Sequence, residues 1–410
     1  MAYLSADLEL LEPLPTLSLD AEQTGIGVVL RRRDVPIGFL LQPMPAGSTL
    51  SAAELDRLVA SACAEKLVAE ALVDSFGGRG PLSERTLTVA ICTKDRVEGL
   101  ARCLDALQRL PPTDDQARFE VLVVDNASVD DATRNLVAAR PDVRYVREDK
   151  PGLDFARNRA IAEATGALIA FLDDDVEVDR GWLTGLLMAW GEHQDAGCVT
   201  GLVLPFELAT PAQVTFESYG GFRRGFDTIR YSGSTLPGNP LFPFGAGMFG
   251  AGCNMSFDRA LLLRLGGFDE ALDTGQPLPG GGDLDMFHRV LRAGRPLVYE
   301  PRYAVFHKHR REHRMLRRQL WTWGTGFMAY AVKTFRADPS GRVQIVRLLL
   351  WWWAHQLREL AQCLRRRGPL TPDLALAHLV GGLVGLAGTY GRSRRRTARI
   401  RQREREPAPC

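Results

Sequence analysis

Hydrophobic and polar positions alternate in a regular order along residues 86–172, where short apolar runs are separated by amphipathic stretches. The apolar runs predict strands at 86–92, 119–124, 143–146 and 167–172. The stretches between them have apolar residues at helical spacing and predict helices over 96–110, after 128, and over 154–164. Continuous apolar strands that alternate with helices are typical of a doubly wound, mostly parallel sheet covered on both faces, so we predict the α/β class.

The residues before this region predict a small N-terminal α+β module within 1–80. Residues 1–20 lack a clear period, and we expect them to be loosely ordered. The apolar runs 26–30 and 37–41 flank a polar tip and predict a hairpin. A helix is expected over 51–73, with Ser51 as its cap and an apolar face that runs as far as Leu72. The segment 76–85 is rich in glycine and charge and predicts a linker.

The last hundred residues, 311–410, predict a helical region with two interpretations. The segments 343–353 and 374–390 are strongly apolar, and arginine clusters flank them. Apolar helices with tryptophan and flanking arginine are typical of peripheral contact with an anionic membrane surface. The alternative is a helical cap packed on the main domain, followed by a solvated basic tail. His378 and several glycines weaken the case for a membrane-spanning helix.

Composition and charge narrow the class of protein. The chain has 45% hydrophobic and 24% charged residues, which excludes wholesale disorder and a polytopic membrane protein. The net charge of +2 argues against a general nucleic-acid binder. The seven cysteines are scattered without a CxxC pair, which argues against a zinc site and a disulfide framework. The first 20 residues lack a signal-peptide pattern, so we expect a cytoplasmic protein, peripheral on the inner membrane face if the C-terminal region binds lipid.

Polar clusters follow three of the predicted strands. They are 93–96 (TKDR), 125–128 (DNAS) with Asp130, and 173–175 (DDD). In doubly wound sheets, ligands bind beyond the carboxyl ends of the strands, so these clusters predict a binding site. Individually, Ser128 could cap a helix, and Asp95 or Asn126 could serve as turn residues.

The triple aspartate predicts a cation site. Three adjacent carboxylates repel one another unless a cation neutralises them. Side chains alternate along a strand, so we expect Asp173 and Asp175 on one side and Asp174 on the other. Two carboxylates on one side suit Mn²⁺ or Mg²⁺, which can bind phosphate oxygens as further ligands. A solvated acidic turn is the alternative.

Four segments together resemble the family 2 inverting glycosyltransferases with the GT-A fold. They are LTVAICTKDR, VLVVDNASVD, PGLDFARNRAIAEATGALIAFLDDD and GGGDLDMFHRVLRAG. The resemblance covers roughly residues 86–310 and implies a nucleotide-diphospho-sugar donor. It also implies transfer of the sugar to an acceptor hydroxyl, with inversion at the anomeric carbon.

The resemblance implies a role for each matching residue. Donor-binding residues would be Thr93, Asp95, Arg96, Asp125, Asn126, Ser128, Gly152, Arg157, Asn158 and Asp174, with Ala156 in the same signature. Asp173 and Asp175 would hold the metal. His307, which directly follows an apolar run, would be a third metal ligand, and His309 is the second choice.

Asp283 occupies the position of the family's catalytic base. The family usually has Glu before this Asp, and the chain has Gly282 there. This departure leaves the base in place but puts the role of the missing Glu in doubt. An Asp at this position could alternatively cap the following helix. Asp285 is the next candidate for the base.

The predicted function is a metal-dependent inverting glycosyltransferase. Its acceptor would be an envelope glycan, a polyprenyl-linked acceptor or a natural-product aglycone. A non-catalytic nucleotide-sugar binding or scaffold protein is the alternative that Gly282 raises. A sugar nucleotidyltransferase would instead need a glycine-rich phosphate loop after the first strand, and TKDR is not glycine-rich.

Overall fold

The computed structural model describes residues 2–76, 80–111 and 119–405. Residues 77–79 of the predicted linker, Pro112, which follows the predicted helix over 96–110, and Cys410 lie outside these ranges. The strands are β1 (Ala2–Glu9), β2 (Leu17–Ser18), β3 (Gln23–Arg32), β4 (Val35–Pro43), β5 (Thr49–Leu50), β6 (Leu87–Thr93), β7 (Phe119–Asn126), β8 (Val143–Glu148), β9 (Leu168–Asp173), β10 (Val176–Val178), β11 (Cys198–Pro205), β12 (Ile229–Tyr231), β13 (Asn254–Asp258) and β14 (Leu297–His307).

The helices are α1 (Ala52–Phe76), α2 (Val97–Gln108), α3 (Ala132–Ala138), α4 (Leu153–Glu163), α5 (Trp182–Glu192), α6 (Pro211–Ser218), α7 (Arg259–Arg264), α8 (Gly282–Arg292), α9 (His313–Ala337), α10 (Arg342–Leu364), α11 (Pro372–Val384) and α12 (Tyr390–Arg405). A π-helical turn, Gly385–Thr389, joins α11 to α12.

A nine-stranded sheet forms the centre of the protein, in the order β10-β14-β11-β13-β9-β6-β7-β8, with β12 paired to β14. The strands β9, β6, β7 and β8 are mutually parallel, and β11 is parallel to β14. The strand β13 runs antiparallel to both of its neighbours. The predicted α/β class with a large sheet is confirmed, and the parallel part contains the four strands predicted from the apolar runs.

Both faces of the sheet are covered, as the continuous apolar strands predict. Along β6, Val89 and Ile91 contact the layer that contains α2 and α5, whereas Ala90 contacts the opposite layer with α4 and α8. This alternation follows from the two-residue period of a strand. Covering both faces leaves the carboxyl ends of the strands as the accessible edge.

The N-terminal residues form a second, smaller sheet. The expectation that residues 1–20 are loosely ordered is wrong, because β1 pairs in parallel with β3. Leu4, Ala6 and Leu8 of β1 pack against the core of this module. The predicted hairpin is confirmed as β3 and β4. The helix is also confirmed, although its apolar face ends early, since Leu72 is exposed.

The C-terminal helices pack on the central domain and on one another. A side chain at Gly324 of α9 would overlap the carbonyl oxygen of His378 in α11, and one at Gly381 would overlap that of Trp321. These two glycines therefore allow the backbones of α9 and α11 to touch. The basic end forms the helix α12, and most of its arginine side chains are exposed. Arg401 of this helix pairs with Glu270 at 2.5 Å.

One helix in the described part of the chain, Pro372–Arg403, is long and apolar enough to cross a membrane by length and composition alone. Within the protein, 44% of its apolar window is buried. A core helix of a soluble protein meets the same criteria, so the observation is weak support for a span.

Candidate active site

The carboxyl ends of β6, β7 and β9 open into a cavity of about 850 Å³. The end of β14 and the start of α8 complete its wall. The predicted site residues that line it are Thr93, Arg96, Asn126, Gly152, Arg157, Asp173, Asp174, Asp175, Asp283 and His307. The other four, Asp95, Asp125, Ser128 and Asn158, are not among its lining residues.

Asp125, Ser128 and Asp95 tie together the loops that follow β6 and β7. The Asp125 carboxylate is fully buried, accepts a hydrogen bond from the Tyr145 hydroxyl at 2.8 Å and accepts another from the Ser128 amide at 3.3 Å. The Ser128 hydroxyl accepts from the amide of Asp95 at 3.2 Å. Ser128 is therefore not a helix cap, because α3 begins only at Ala132.

Asn126 fixes the loop that begins the Gly152 signature. Its side-chain oxygen accepts from the Gly152 amide at 2.8 Å, and its nitrogen donates to the Lys150 carbonyl at 2.7 Å. Gly152 has φ of 146°, a conformation that favours glycine. Asn126 thus shapes the cavity wall through the backbone.

Arg157 and Asn158 face different directions. Arg157 is buried, pairs with Asp154 at 3.1 Å and lies 4.0 Å from Asp273. Asn158 instead binds the turn after α7, accepting from the Phe268 amide at 2.7 Å and donating to its carbonyl at 3.0 Å. Arg157 therefore presents charge to the cavity, and Asn158 positions the turn beside it.

The three aspartates have different partners. Asp174 accepts from Thr93 at 2.8 Å and pairs with Arg96 at 2.9 Å. The same Arg96 nitrogen reaches Asp175 at 3.1 Å, so Asp174 and Asp175 are not separated on opposite sides as strand alternation predicts. The strand β9 ends at Asp173, and the alternation stops there.

The electrostatic surroundings of Asp173 and Asp175 also differ. Burial, followed by repulsion from Asp175, raises the pKa of Asp173 to about 7. Burial alone would raise the pKa of Asp175, but positive charge on His307 when it is protonated, and on Arg310 and Arg96, holds it below its ordinary value. A cation bound between the two carboxylates would relieve their repulsion.

A chain of buried side chains extends from Asp175 through two histidines. His307 Nε2 lies 3.4 Å from Asp175 Oδ1, and the Nδ1 atoms of His307 and His309 are 2.8 Å apart. His309 Nε2 lies 2.7 Å from Glu217, which pairs with Arg223 at 2.8 Å. Burial lowers the pKa of His307 to about 3, so the ring is neutral at neutral pH. His307, and not His309, faces the aspartates.

No complete metal site is assembled in the ranges that the structure describes. Among residues 2–76, 80–111 and 119–405, no group of three or more His, Cys, Asp or Glu side chains is arranged to hold an ion as it stands. Asp175 and His307 form a pair, and Asp173 lines the same cavity.

Asp283 lies in the first turn of α8. The residue before the helix is Gly281, and the Asp283 carboxylate accepts from the adjacent Leu284 amide at 2.9 Å. It therefore does not occupy the cap position. Asp285 is held by Arg289 and Lys333 and does not line the cavity, so it is poorly placed to act as a base.

Gly282 has a steric explanation. A Cβ atom at this position would overlap the Asp154 carboxylate, which is fully buried. Burial raises the pKa of Asp154 well above its ordinary value, and Asp154 Oδ2 has no hydrogen-bond partner among the described residues. A carboxylate on α4 therefore occupies the space in which a side chain at 282 would begin.

Sequence reasoning missed four polar residues that act here. Arg310 reaches Asp175 at 3.3 Å, and Asp273 lines the cavity with a pKa that burial raises to about 7. Glu217 and Asp154 support the site from behind. Arg310 adjoins the histidine motif and Asp154 lies within the segment that contains Gly152 and Arg157, so their positions were usable signals. Glu217 and Asp273 stand in segments without a recognised motif.

Comparison with known proteins identifies the central region. The model of the glycosyl transferase family 2 matches residues 88–260. This match covers less than half of the chain, and it shows that the central region is similar in sequence to that family. Asp283 and His307 lie beyond the matched residues.

Curated relatives of the central region are named glycosyltransferases. The pre-mycofactocin glycosyltransferase of Mycobacterium tuberculosis (strain CDC 1551 / Oshkosh) is 30% identical over 239 residues, which are 57% of this chain and 45% of that protein. Polypeptide N-acetylgalactosaminyltransferase 5 of Rattus norvegicus is 26% identical over 245 residues, 56% of this chain and 25% of that protein. The chain spans less than half the length of these relatives.

A solved structure with a similar chain course is a mannosyltransferase from Pyrobaculum calidifontis in complex with GDP-Man and Mn²⁺. It is 18% identical, with a TM-score of 0.46, and the match covers 77% of this chain and 94% of that one.

Proposed function

We propose that this protein transfers a sugar from a nucleotide-diphospho-sugar to an acceptor hydroxyl, with inversion at the anomeric carbon. The observation that carries the proposal is one cavity that is lined both by Asp283 and by the aspartates at the end of β9. Cationic side chains surround them; those that line the cavity are Lys94, Arg96, Arg157, Arg224, Arg310 and Arg396. Paired cations and carboxylates at strand ends suit a diphosphate and its metal.

A divalent cation, Mn²⁺ or Mg²⁺, fits this arrangement. Asp175 and His307 would hold it, with Asp173 in the same wall, and the repulsion that raises the pKa of Asp173 supports a cation there. Carboxylate oxygens suit both ions, and a neutral imidazole suits Mn²⁺. When bound, the ion would stabilise negative charge on the diphosphate leaving group.

The chain's own residues supply the remaining chemistry. The Asp283 carboxylate removes the proton of the acceptor hydroxyl as its oxygen attacks the anomeric carbon. General-base assistance of this kind is worth roughly 10²–10⁴-fold in rate. Arg96 and Arg310 stand where charge grows on the leaving nucleoside diphosphate, and they stabilise it electrostatically. A single displacement inverts the configuration.

The non-catalytic alternative loses its main support. It rested on Gly282, which replaces the Glu expected from the family resemblance. Because Asp154 fills the space at position 282, the replacement reflects packing between α4 and α8 and leaves Asp283 in the cavity wall. We therefore propose an enzyme.

Donor binding tests the function. A thermal-shift panel of nucleoside diphosphates and their sugars should raise the melting point for one donor in Mn²⁺ and much less in chelator, because a ligand that binds only the folded state stabilises it by mass action. Asp175→Ala should remove the metal-dependent part. Asp195→Ala, in an exposed pair with Arg230, is the matched control. Donor binding without transfer or hydrolysis would favour a scaffold, and wild-type binding by Asp175→Ala would exclude this metal site.

We also propose that the C-terminal helices contact the cytoplasmic face of an anionic membrane. The outward side of α10 is an exposed apolar stripe, defined by Val343, Val346, Leu350, Leu357 and Leu364. Beside α11, Arg314, Arg317 and Arg318 form a cleft with Leu376 and Val380. Exposed apolar side chains next to arginines suit lipid headgroups.

A further inference from the structure

The cavity that contains Asp283 continues into a recess between α9, α10 and α11. This aromatic recess is formed by Gln319, Thr322, Trp323, Phe327, Trp352 and His378. The whole cavity, at about 850 Å³, lies near the upper end of the range of about 300–1,000 Å³ for ligand pockets. A second substrate can therefore be accommodated beside the donor.

Close packing of glycines joins the recess to the catalytic base. A Cβ atom at Gly326 of α9 would lie 3.0 Å from the backbone of Gly280, and one at Gly281 would lie 2.8 Å from the Gly326 carbonyl oxygen. Gly281 immediately precedes α8, which carries Asp283 in its first turn. This contact packs the segment of α9 that carries Phe327 against the start of α8, and Phe327 and Asp283 line the same cavity.

The chemistry of the recess is aromatic and uncharged. The rings of Phe327 and Trp352 are nearly parallel, with centroids 5.9 Å apart, and His378 meets Trp352 edge to face at 5.4 Å. None of the six side chains is an acid, a lysine or an arginine. Burial lowers the pKa of His378 to about 4, so its ring is neutral at neutral pH.

His378 carries an unmet hydrogen-bonding capacity. The side chain is 92% buried, and its Nδ1 atom has no partner among the described residues. An unpartnered buried polar atom costs about 1–3 kcal/mol unless a ligand or water supplies the bond. A ligand group at this position would offset that cost.

The far end of the recess limits what can enter. Next to His378, the backbones of α9 and α11 touch through Gly324 and Gly381. A long isoprenoid chain could not pass between the helices at this point. A sugar ring would bury several hydroxyls, for which the side-chain partners in the recess are Gln319, Thr322, His378 and the indole N–H donors of Trp323 and Trp352.

Given the proposed transferase activity, on which this inference rests, we infer that the acceptor is a small aromatic alcohol or phenol. Its ring lies against Phe327 and Trp352, and a polar substituent bonds His378 Nδ1. Its hydroxyl oxygen, at Asp283, forms the new bond to the anomeric carbon as the bond to the diphosphate oxygen breaks. The proton passes to the Asp283 carboxylate.

The test uses the full chain, its identified donor and three acceptor probes. They are 4-methylumbelliferone, methyl β-glucopyranoside and farnesyl phosphate in phosphatidylglycerol vesicles, with products detected by mass spectrometry. The phenol should be the best acceptor by at least tenfold in kcat/KM. Phe327→Leu should raise its KM about tenfold, a change of about 1.4 kcal/mol, and leave donor affinity unchanged. Phe335→Leu, on the exposed part of the same helix, is the matched control and should change neither.

His378→Phe provides a second variant that should fold at least as well, because it removes an unpaired buried nitrogen and keeps the ring. It should raise the KM for 4-methylumbelliferone severalfold. Better transfer to the glucoside or to farnesyl phosphate overturns the inference, as does an unchanged KM in both variants. If no nucleotide-sugar binds, the proposed function itself fails. If a donor binds but neither Phe327→Leu nor His378→Phe changes the KM for the acceptor, only the inference about an aromatic acceptor is rejected.

Discussion

The imidazole rings of His307 and His309 meet nitrogen to nitrogen, with 2.8 Å between their Nδ1 atoms. Only one of these nitrogens can carry the shared proton when both rings are neutral. In the tautomer in which a neutral His309 donates from Nε2 to Glu217, His309 Nδ1 has no proton and accepts from His307 Nδ1. His307 Nε2 is therefore left with a lone pair directed at Asp175. This is the tautomer that a metal ligand requires.

We expect His309→Ala to weaken Mn²⁺ binding by about 10–100-fold, the usual effect of losing a side chain that orients a metal ligand. Electron paramagnetic resonance of free Mn²⁺, titrated with the protein and nucleoside diphosphate, measures this directly. His313→Ala, in an exposed pair with Asp373, is the matched control. Equal affinity in His309→Ala and His313→Ala would contradict the orienting role.

Gly282 and Asp154 should be energetically coupled. A methyl group at 282 would overlap the Asp154 carboxylate, and overpacking of this kind costs typically 1–3 kcal/mol of unfolding free energy. In the Asp154→Ala background the same Gly282→Ala change should cost at least 1 kcal/mol less, since the obstructing carboxylate is gone. Urea unfolding of the wild type, Gly282→Ala, Asp154→Ala and the double variant measures the coupling. Additive effects would mean that the two positions do not compete for space.

His288 should make stability fall in mild acid. Burial lowers its pKa to about 4 in the folded protein, with Asp285, Asp338, Arg292 and Lys333 around it. The unfolded chain takes up the proton near pH 6.5, so His288 alone lowers the unfolding free energy by roughly 3 kcal/mol as pH falls from 6.5 towards 4. His307 and His378 add to this loss, because burial also lowers their pKa values. His288→Leu should therefore reduce the slope of unfolding free energy against pH, whereas His313→Leu should leave it unchanged. If the unfolding free energy of His288→Leu falls with pH as steeply as that of the wild type, other groups cause the loss of stability.

The exposed stripe on α10 should mediate membrane contact. The double variant Leu350→Glu, Leu357→Glu should reduce co-sedimentation with phosphatidylglycerol vesicles at least tenfold. Two charges would replace exposed apolar side chains that insert into the membrane surface. Val68→Glu, at an exposed position on α1, should leave binding unchanged. If wild type does not bind these vesicles, or the double variant binds equally well, the C-terminal helices are a cap only.

The features that local sequence patterns encode could be predicted, whereas contacts between residues far apart in the chain could not. The strands β6 to β9 follow from apolar runs, and the clusters after them meet at one edge because parallel strands end together. The pairing of β1 with β3 was missed, since its alternation of half-buried residues is weak on its own. Glu217 meets His309 across 92 residues of chain, a contact that no local period encodes. The packing of Asp154 against Gly282 is of the same kind.

The central claim is that Asp283 is the general base, and Asp283→Asn tests it most directly. Asn is nearly isosteric but cannot take up the acceptor proton, so turnover should fall about 10²–10⁴-fold, or roughly 3–5 kcal/mol of barrier. Donor affinity should change little, because the aspartates at the end of β9 remain. The measurement is kcat for transfer beside the donor Kd by calorimetry in Mn²⁺. Transfer within about threefold of wild type, well short of the general-base range, would contradict the account, and Asp283 would then have only a structural role at the start of α8.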